Sequence, residues 1–480
     1  MSKSSFPKFQ PLSEDEIESI HLASLRLLEE VGVKIYSDAA LKLLSDGGAE
    51  VDFNKKLAYI PQHLVKEALA KAPSTIKLYG RNRKHDRVLE GDTVTFDPGS
   101  SALYILDYEE NEIRKPVSKD LAELVRLTDA LEHIHAQSTA MVVSDVPQAI
   151  VDRYRLYIVL KNSTKPIITG AFSIDGLYDM KRMLEVVVGG EKELTRKPMA
   201  IFDVCPSSPL KWSELDAQNL IDCAKFRLPA NIIPAIQLSA TGPATIAGSL
   251  VQHNAEVLSG LVMTQLTNPG APVIYGGSPT VLDQRYATAC LGAIEDMLLG
   301  CSYAQIAKSY RLPTHLYTGL SDAKVIDAQC GFESGIGIVL GTLAGINVIS
   351  GPGMLNFENC QSLEKLVIDN EICGMALRLA KGVKVQDETL AVDLIRKVGP
   401  GGVYLAERHT LEWIRKEQFI PSEIIDRKEW KAWKDAGKKD ILKRAHEIVE
   451  KKLKEHEPEP LPPDVQKDLD SLMEDIMKKH

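Results

Sequence analysis

Short apolar runs rich in β-branched residues recur along the chain, and a helical stretch follows each of them. Each run ends at a polar residue or a glycine. Apolar character along the whole of a run indicates a strand buried on both faces, as in a parallel sheet. The eight runs are 94–99, 137–145, 165–172, 198–205, 231–239, 272–277, 314–319 and 346–353. Eight such units predict an α/β fold, the (β/α)8 TIM barrel.

An open, doubly wound sheet is the alternative architecture for the same alternation of strands and helices. No G-x-G-x-x-G sequence opens a helix after the first run, which counts against a dinucleotide-binding sheet. We therefore favour the barrel and keep the open sheet as the alternative.

The chain divides into four regions around this barrel. They are a small α+β cap at 1–92, the barrel at 93–354, a helical region completing the barrel domain at 355–430 and a charged helical tail at 431–480. Ser13 and Glu16 have the spacing of a capping box and predict the start of the first helix. In the tail we expect a helix to about Glu455, then a proline-rich linker and a solvated final helix.

Composition narrows the class of protein. The 480 residues are 44% hydrophobic and 26% charged, with a net charge of -9, so neither nucleic acid nor an anionic membrane is the expected partner. No run of 18 apolar residues and no signal peptide is present, and we expect a cytoplasmic protein. The seven cysteines lie scattered in apolar segments. We interpret them as buried hydrophobic residues and expect no metal site, because no partners stand at zinc-ligand spacing.

The active site of a barrel lies at the C-terminal ends of its strands, where this sequence places both aromatic and polar residues. Ring faces and carboxylates together suit a cationic organic ligand, although the same rings can simply fill a barrel interior. The candidate substrate-binding residues are Phe202, Asp203, Gln237, Tyr275, Tyr317 and Phe357.

Asp322 and Lys324 follow the seventh run and are the candidate catalytic residues. Lys324 can form a Schiff base if it is desolvated, but a neighbouring acid and an open strand end favour an ordinary charged lysine. His253, on a mostly apolar helix, is either a proton shuttle or a structural residue. The "SGPGM" segment at 350–354 either binds phosphate or permits close backbone approach.

Four long blocks carry a family resemblance. They are "TGPATIAGSLVQHNAEVLSGLVMTQLTNPGAPVIYGG", "YAQIAKSYRLPTHLYTGLSDAKVIDAQCGFES", "GPGMLNFENCQSLEKLVIDNEICGMALR" and "GPGGVYLAERHTLEWIRKEQFIPSEIIDR". With them the chain resembles the trimethylamine methyltransferase family from about residue 13 to 430. The resemblance implies a TIM barrel that moves a methyl group from an amine to the Co(I) centre of a separate corrinoid protein, with no cofactor bound tightly by the chain itself.

The chain departs from the family at one informative position. The founding trimethylamine enzymes carry pyrrolysine near the end of a late strand, a position that falls around 318–321, where this chain has only standard residues. Family members without pyrrolysine resemble quaternary-amine demethylases. A quaternary ammonium leaves as a neutral tertiary amine, so no proton is needed at nitrogen. We therefore expect a quaternary amine as the methyl donor. Glycine betaine is the first candidate because it is the smallest and commonest, and proline betaine, carnitine and γ-butyrobetaine are alternatives.

The resemblance also suggests partners and further roles. We expect a cognate corrinoid protein, a small quaternary-amine substrate and a homo-oligomer. The residues expected to face the corrinoid are Thr318, Gly319, Ser321, Gly351 and Gly353. For a substrate carboxylate the candidate donors are Lys324, Ser239, Thr241 and the amides of the "GPG" segment at 351–353. Two other functions stay open: a Schiff-base lyase or aldolase using Lys324, and a non-catalytic subunit that binds quaternary amines.

Overall fold

A computed structural model describes residues 6–480 of the chain; the first five residues of the predicted cap lie outside the described part. Eight short parallel strands form the centre of the molecule, and each overlaps one of the eight apolar runs. They are Thr95–Asp97, Gln137–Ser138, Ile167–Thr169, Ala200–Val204, Ala230–Ile232, Val273–Tyr275, His315–Tyr317 and Val348–Ser350. We number these the first to the eighth barrel strand.

The order in which the strands pair is cyclic. The second to sixth strands form one parallel sheet, and the seventh, eighth and first strands form another. At one junction the Tyr275 N–H donates to the Pro313 carbonyl at 2.8 Å, and Tyr275 forms a parallel bridge with Thr314. At the other junction the Ala136 N–H donates to the Phe96 carbonyl at 3.0 Å. This neighbour order is that of a (β/α)8 barrel.

A helix follows each barrel strand and packs outside the sheet. Serine or aspartate at several N-caps accepts a hydrogen bond from the first turn, as Ser173, Ser213 and Ser362 do, which satisfies an otherwise unpaired N–H. The eight helices are Ser118–Ala130, Val151–Asn162, Ile174–Val188, Glu214–Phe226, Ile246–Thr267, Ile294–Ser309, Ala328–Leu343 and Leu363–Ala380, with a short extra helix at Glu191–Arg196.

A β-hairpin closes the N-terminal end of the barrel. Its strands, Ile76–Leu78 and Arg87–Leu89, place three buried apolar side chains against residues from inside the barrel. This interior cluster consists of Ile76, Leu78, Leu89, Ala136, Ile168, Ile201, Ile274 and Val348. The hairpin was predicted as part of the cap by position in the chain, but it belongs structurally to the barrel core.

The rest of the N-terminal region is the predicted α+β cap. Its helices are Glu14–Glu30, Asp38–Asp46 and Gln62–Lys71, and its strands are Val33–Ile35, Glu50–Asp52 and Leu57–Tyr59. The capping box of Ser13 and Glu16 is present as predicted. The cap helices pack on the barrel helix Ile246–Thr267, and strand Lys211–Trp212 from the barrel joins the cap sheet.

Two small sheets lie beyond the C-terminal ends of the barrel strands. One joins segments that follow the first and eighth strands, namely Tyr104–Asp107, Glu112–Arg114, Met354–Leu355 and Cys360–Gln361. The other joins segments that follow the fifth and sixth strands, namely Gln237–Leu238, Thr280–Asp283 and Thr288–Cys290. These sheets build a wall around that end of the barrel.

The C-terminal region is helical, as predicted. After the eighth barrel helix come Asp387–Leu390, Val392–Val398, Arg408–Glu417, Trp430–Asp435, Ile441–Glu455 and Pro463–Lys479. Within residues 6–480 no helix is both long and apolar enough to cross a membrane.

The final helix is docked, and the prediction that it is solvated was wrong. It packs on the second and third barrel helices and buries an apolar stripe of Leu469, Leu472, Met473 and Ile476. On the same interface the Asp470 carboxylate accepts hydrogen bonds from the Tyr157 hydroxyl at 2.7 Å and the Lys161 ammonium at 2.9 Å. High net polarity hid this stripe, because only one face of the helix is apolar.

Candidate active site

Carboxyl groups and a tyrosine meet at the C-terminal end of the barrel. Successive strand residues point to opposite faces, and Ile201 belongs to the barrel interior, so Asp203 two residues later also faces inward. Asp97 at the end of the first strand and Tyr317 at the end of the seventh strand face the same space, since both interact electrostatically with Asp203. We call Asp97, Asp203, Tyr317 and Glu358 the acid–tyrosine cluster.

Asp97 is a fully buried member of this cluster. Its carboxylate accepts a hydrogen bond from the Ser350 hydroxyl at 2.5 Å and from the Gly99 N–H at 2.9 Å. Burial nevertheless raises the pKa of Asp97 to about 7, because two hydrogen bonds compensate only part of the lost hydration. Ser350 is held in turn by His315, whose Nε2 lies 3.0 Å from the serine oxygen.

Asp203 is also kept from ionising by its surroundings. Asn231 from the fifth strand donates to one carboxylate oxygen at 2.9 Å, yet burial raises the pKa of Asp203 well above its ordinary value. The nearby acids Asp97 and Glu358 raise this pKa further, while Arg155 lowers it. Cys205, two residues on, is solvent-exposed, but desolvation raises the pKa of its thiol. The Cys205 thiol is therefore reached by solvent but also surrounded by protein, which places it on a concave surface.

Glu358 enters the cluster from a turn that sequence reasoning missed. The turn connects Met354–Leu355 with Cys360–Gln361, and three successive residues in it have positive φ: 52° at Asn356, 57° at Phe357 and 69° at Glu358. Left-handed conformations at such residues cost roughly 1–3 kcal/mol each and concentrate at functional sites. Burial raises the pKa of Glu358 to about 8, and a hydrogen bond from Ser278 opposes the shift.

Tyr317 is the aromatic member of the cluster. Its side chain is only 4% exposed, and burial raises the pKa of its hydroxyl well above the ordinary value. Further rises come from Asp203, Glu358, Asp97 and Cys205, in that order. The phenol is therefore neutral, and its ring is the aromatic group of the cluster.

Arg155, on the second barrel helix, is a buried cation beside this cluster that the sequence did not reveal. One terminal nitrogen, Nη2, donates to the Thr139 carbonyl and to the hydroxyls of Ser100 and Ser101 at 3.2 Å. Its Nε and Nη1 are buried without a hydrogen-bond partner among residues 6–480. The guanidinium carbon lies 5.0 Å from the centre of the Phe172 ring. Burial lowers the pKa of Arg155 to about 10, so it remains charged at neutral pH.

Two predicted substrate-binding aromatics lie outside the cluster. Phe202 is in the hydrophobic core, because it alternates with the inward-facing Ile201 and Asp203 and so points towards the helices. The Tyr275 hydroxyl donates to Asn254 at 3.0 Å, and its ring lies beside His253 on the fifth barrel helix. His253 is itself buried with a pKa lowered to about 3 by desolvation, which fits its structural interpretation.

Gln237 and Phe357 have other contacts in the structure. Gln237 is in the small sheet paired with Thr280, and its N–H donates to the Thr241 hydroxyl at 2.9 Å. The Phe357 ring is covered by the Lys324 ammonium, 3.7 Å from the ring centre. Lys324 thus satisfies an aromatic face that was expected to receive substrate.

The proposed catalytic pair is held by the protein itself. Both carboxylate oxygens of Asp322 accept backbone N–H groups, from Leu291 at 3.1 Å and Gly292 at 3.0 Å. Lys324 is exposed and donates to the Asp322 carbonyl at 2.7 Å. The loop is fixed further by Glu333, which accepts from the Asp322 N–H at 2.8 Å. These contacts give the pair a role in fixing the loop, and an exposed lysine does not favour Schiff-base chemistry.

Near that loop lies an acid that the sequence gave no reason to select. Asp296, at the start of the sixth barrel helix, is fully buried, and neither carboxylate oxygen has a hydrogen-bond partner among the described residues. Burial raises its pKa well above the ordinary value, and Asp322 and Glu358 raise it further.

The five residues expected to face the corrinoid are all buried: Thr318, Gly319, Ser321, Gly351 and Gly353. Their contacts are internal. The Ser321 hydroxyl donates to Glu333 at 2.6 Å, and the Gly353 N–H donates to Asp369 at 2.7 Å. Gly351, at φ 121°, donates its N–H to the Asp97 carbonyl at 3.2 Å. The "GPG" amides therefore fix the loop behind Asp97, and contact of these residues with the corrinoid stays a prediction.

The chemistry of this site suits the binding of a cation. Three carboxyls lie within electrostatic reach of one tyrosine, and no group of three or more metal-ligating side chains within residues 6–480 is arranged to hold an ion. Positive charge is attracted to ring faces and to carboxylates. A positively charged ligand would also favour ionisation of the neighbouring acids, whose pKa values burial has raised.

Comparison with known protein families agrees with this geometry. The family model described as "Trimethylamine methyltransferase (MTTB)" matches residues 1–479. The chain belongs to the trimethylamine methyltransferase (MttB) family. A trimethylamine methyltransferase MttB of Desulfitobacterium hafniense (strain DSM 10664 / DCB-2) is 36% identical over 96% of this chain and 93% of its own length.

Other relatives within the MttB family differ in the substrate that their names give. A trimethylamine methyltransferase MttB of Methanosarcina barkeri is 35% identical over 96% of this chain and 94% of its own length. A glycine betaine methyltransferase of Desulfitobacterium hafniense (strain Y51) is 31% identical over 97% of both chains. Among solved structures, the monomethylamine methyltransferase of Methanosarcina barkeri superposes with a TM-score of 0.58 at 11% identity, covering 94% of this chain and 89% of that one. This likeness supports the fold.

Proposed function

We propose that this methyltransferase demethylates a quaternary amine, with glycine betaine as the first candidate, and releases the tertiary amine. The methyl acceptor in this proposal is the Co(I) corrinoid carried by a cognate partner protein, which acts as a second substrate. The observation that carries the proposal is the acid–tyrosine cluster: Asp97, Asp203 and Glu358 all lie within electrostatic reach of Tyr317 at the end of the barrel.

A quaternary ammonium matches this cluster in chemistry. It carries positive charge but no N–H, so it cannot be held by ordinary hydrogen bonds and depends on aromatic faces and nearby acids. Trimethylamine is a less suitable donor for this chain, because positions 318–324 hold only standard residues where the founding relatives have pyrrolysine nearby. The 31% identical glycine betaine methyltransferase lends support to the quaternary substrate.

The environment of the cluster also suits the reaction. Desolvation raises the pKa values of Asp97, Asp203 and Glu358, which describes a pocket that solvates charge poorly. Transfer of a methyl cation to a nucleophilic Co(I) centre removes the positive charge from nitrogen. A poorly solvating pocket favours such a loss of charge. The protein then contributes alignment of the N–CH3 bond with its acceptor, and the leaving amine needs no proton.

A spectroscopic panel tests the proposal. The protein is mixed with a reduced corrinoid protein and, separately, with glycine betaine, proline betaine, carnitine, γ-butyrobetaine, choline and trimethylamine. We expect the methylated corrinoid to form with at least one quaternary amine and not with trimethylamine. Methylation by trimethylamine alone would overturn the proposal. Binding of a quaternary amine with no methylation would instead indicate the non-catalytic binding subunit.

A further inference from the structure

Arg155 is a cation with unused hydrogen-bonding capacity next to the acid–tyrosine cluster. Its side chain is fully buried, and within residues 6–480 neither Nε nor Nη1 has a hydrogen-bond partner. A buried guanidinium normally has its donors paired, because an unpaired buried donor loses its hydration without compensation. The Nη1 group therefore has two N–H donors free for a charge-assisted hydrogen bond to a carboxylate oxygen.

The electrostatic neighbours of Arg155 show which side of the residue faces the cluster. They are Asp152, Tyr317 and Asp203. Asp152 is already engaged, since its carboxylate accepts from Arg153 at 3.0 Å and from the Phe172 N–H at 2.8 Å. Tyr317 and Asp203 belong to the cluster, so the guanidinium lies within electrostatic reach of the space where the cationic end of a substrate would be held.

Other donors near the site are already used. The Lys324 ammonium donates to a carbonyl and covers the Phe357 ring. The amides of the "GPG" segment bond within the protein. Arg155 is therefore the strongest remaining candidate for an anionic group.

We propose that Arg155 binds the carboxylate of a zwitterionic substrate and thereby selects betaines over quaternary amines that lack a carboxylate. This inference rests on the proposed function, because it assumes that the trimethylammonium end lies against Tyr317 and the acids. Phe172 is 44% exposed and its ring lies over the guanidinium, so a change of its side-chain rotamer would give access to the guanidinium without moving the backbone.

The first part of the test uses the unaltered protein and two matched ligands. Glycine betaine and its methyl ester carry the same trimethylammonium group, but only the former has a carboxylate. Titration calorimetry measures both affinities without a corrinoid partner. We expect glycine betaine to bind at least about tenfold more tightly, as charge-assisted pairing with arginine implies. Equal affinity, or tighter binding of the ester, would overturn the role of Arg155 while leaving the quaternary-amine function intact. If neither ligand binds and no betaine methylates the corrinoid, the proposed function itself fails.

The second part changes the arginine. In Arg155→Gln we expect glycine betaine to bind about thirtyfold more weakly, the scale for removing one partner of a buried charge pair, while affinity for the ester stays within about threefold. Arg155→Lys keeps the charge but not the planar set of N–H donors, and we expect intermediate discrimination. Arg153→Lys is the matched control, because Arg153 lies on the same helix, is equally buried and has its partners in Asp152 and Asp179.

Thermal unfolding checks that each variant is folded. If Arg155→Gln does not fold, the ratio of the two affinities in Arg155→Lys decides the question. A ratio that is unchanged from the original protein, in either folded variant, would show that the guanidinium is a structural group only. An equal change in the ratio for Arg153→Lys would likewise contradict a specific role for Arg155.

Discussion

At the scale of single residues, burial sets the protonation of the site more than any charged partner does. Desolvation is the largest influence on the pKa values of Asp97, Asp203 and Glu358. Only Arg155 lowers one of these three through its positive charge. The acids are therefore available to ionise when a cation enters, and this property can be measured.

Glu358 predicts a pH dependence of stability. Its pKa in the folded protein is about 8, against an ordinary value of 4.5, so the folded state holds this proton more tightly than the unfolded chain. The resulting stability is complete below about pH 4.5 and is lost as the pH rises through about 8. We expect the melting temperature of the original protein, relative to Glu358→Gln, to fall by a few degrees between pH 5 and pH 9.

Differential scanning fluorimetry across that range gives the comparison. Glu50→Gln is the control, because Glu50 is exposed at the cap sheet. Parallel melting curves for the original protein and Glu358→Gln would show that Glu358 does not hold a proton in the folded state.

Tyr317 predicts a loss of cation binding when its ring is removed. Tyr317→Leu keeps an apolar side chain but loses the aromatic face, and we expect affinity for tetramethylammonium to fall about tenfold. Tyr317→Phe keeps the face and is expected to change affinity by less than about threefold. Phe202→Leu removes a core ring that lies outside the cluster, so calorimetry should show unchanged affinity. A similar loss in both leucine variants would contradict the assignment.

The sequence allowed only part of this site to be predicted. Asp203 and Tyr317 were predicted because they end strands, and strand ends converge in a barrel. Arg155 lies within a helix and Glu358 in a left-handed turn. The sequence around these residues does not predict where their side chains lie in the fold. Tyr275 lies outside the cluster for a different reason: whether a strand residue points inward depends on a register that short strands leave undetermined.

At the scale of elements, the apolar pattern predicted the barrel strands correctly but did not predict how the hairpin and the final helix pack. All eight barrel strands overlap predicted runs, because strands buried on both faces are apolar throughout. The hairpin at 76–89 was assigned to the cap because of its position in the chain. Proximity in the chain, however, says little about packing. The final helix was expected to be solvated, although Leu469, Leu472, Met473 and Ile476 are spaced to form one helical face.

Docking of the final helix predicts that substitutions at two adjacent apolar residues change the free energy of unfolding by unequal amounts. Ile476 is 1% exposed and Met477 is 48% exposed. We expect Ile476→Ala to lower the free energy of unfolding by about 2–5 kcal/mol, the range for emptying a packed site. Met477→Ala should change it by less than about 0.5 kcal/mol. Denaturant titration measures both, and equal small effects would show that the helix is not docked in solution.

At the scale of the whole molecule, the two ends of the barrel have different tasks. The N-terminal end is filled by an apolar hairpin, whereas the C-terminal end gathers charged groups that are costly to bury. This division is the usual one for the fold. The stability from the apolar N-terminal end offsets the cost of burying charged groups at the C-terminal end. The corrinoid partner and the homo-oligomer expected from the sequence stay predictions.

The hydrogen bond from Ser350 to Asp97 joins residues that are 253 positions apart in the chain. A nascent chain therefore cannot complete this pocket until the ribosome has passed the eighth strand, more than two thirds of the way through synthesis. Contacts of such long sequence separation form slowly, since a large loop must close first. Acquisition of ligand binding during refolding thus reports the moment at which the first and last strands meet.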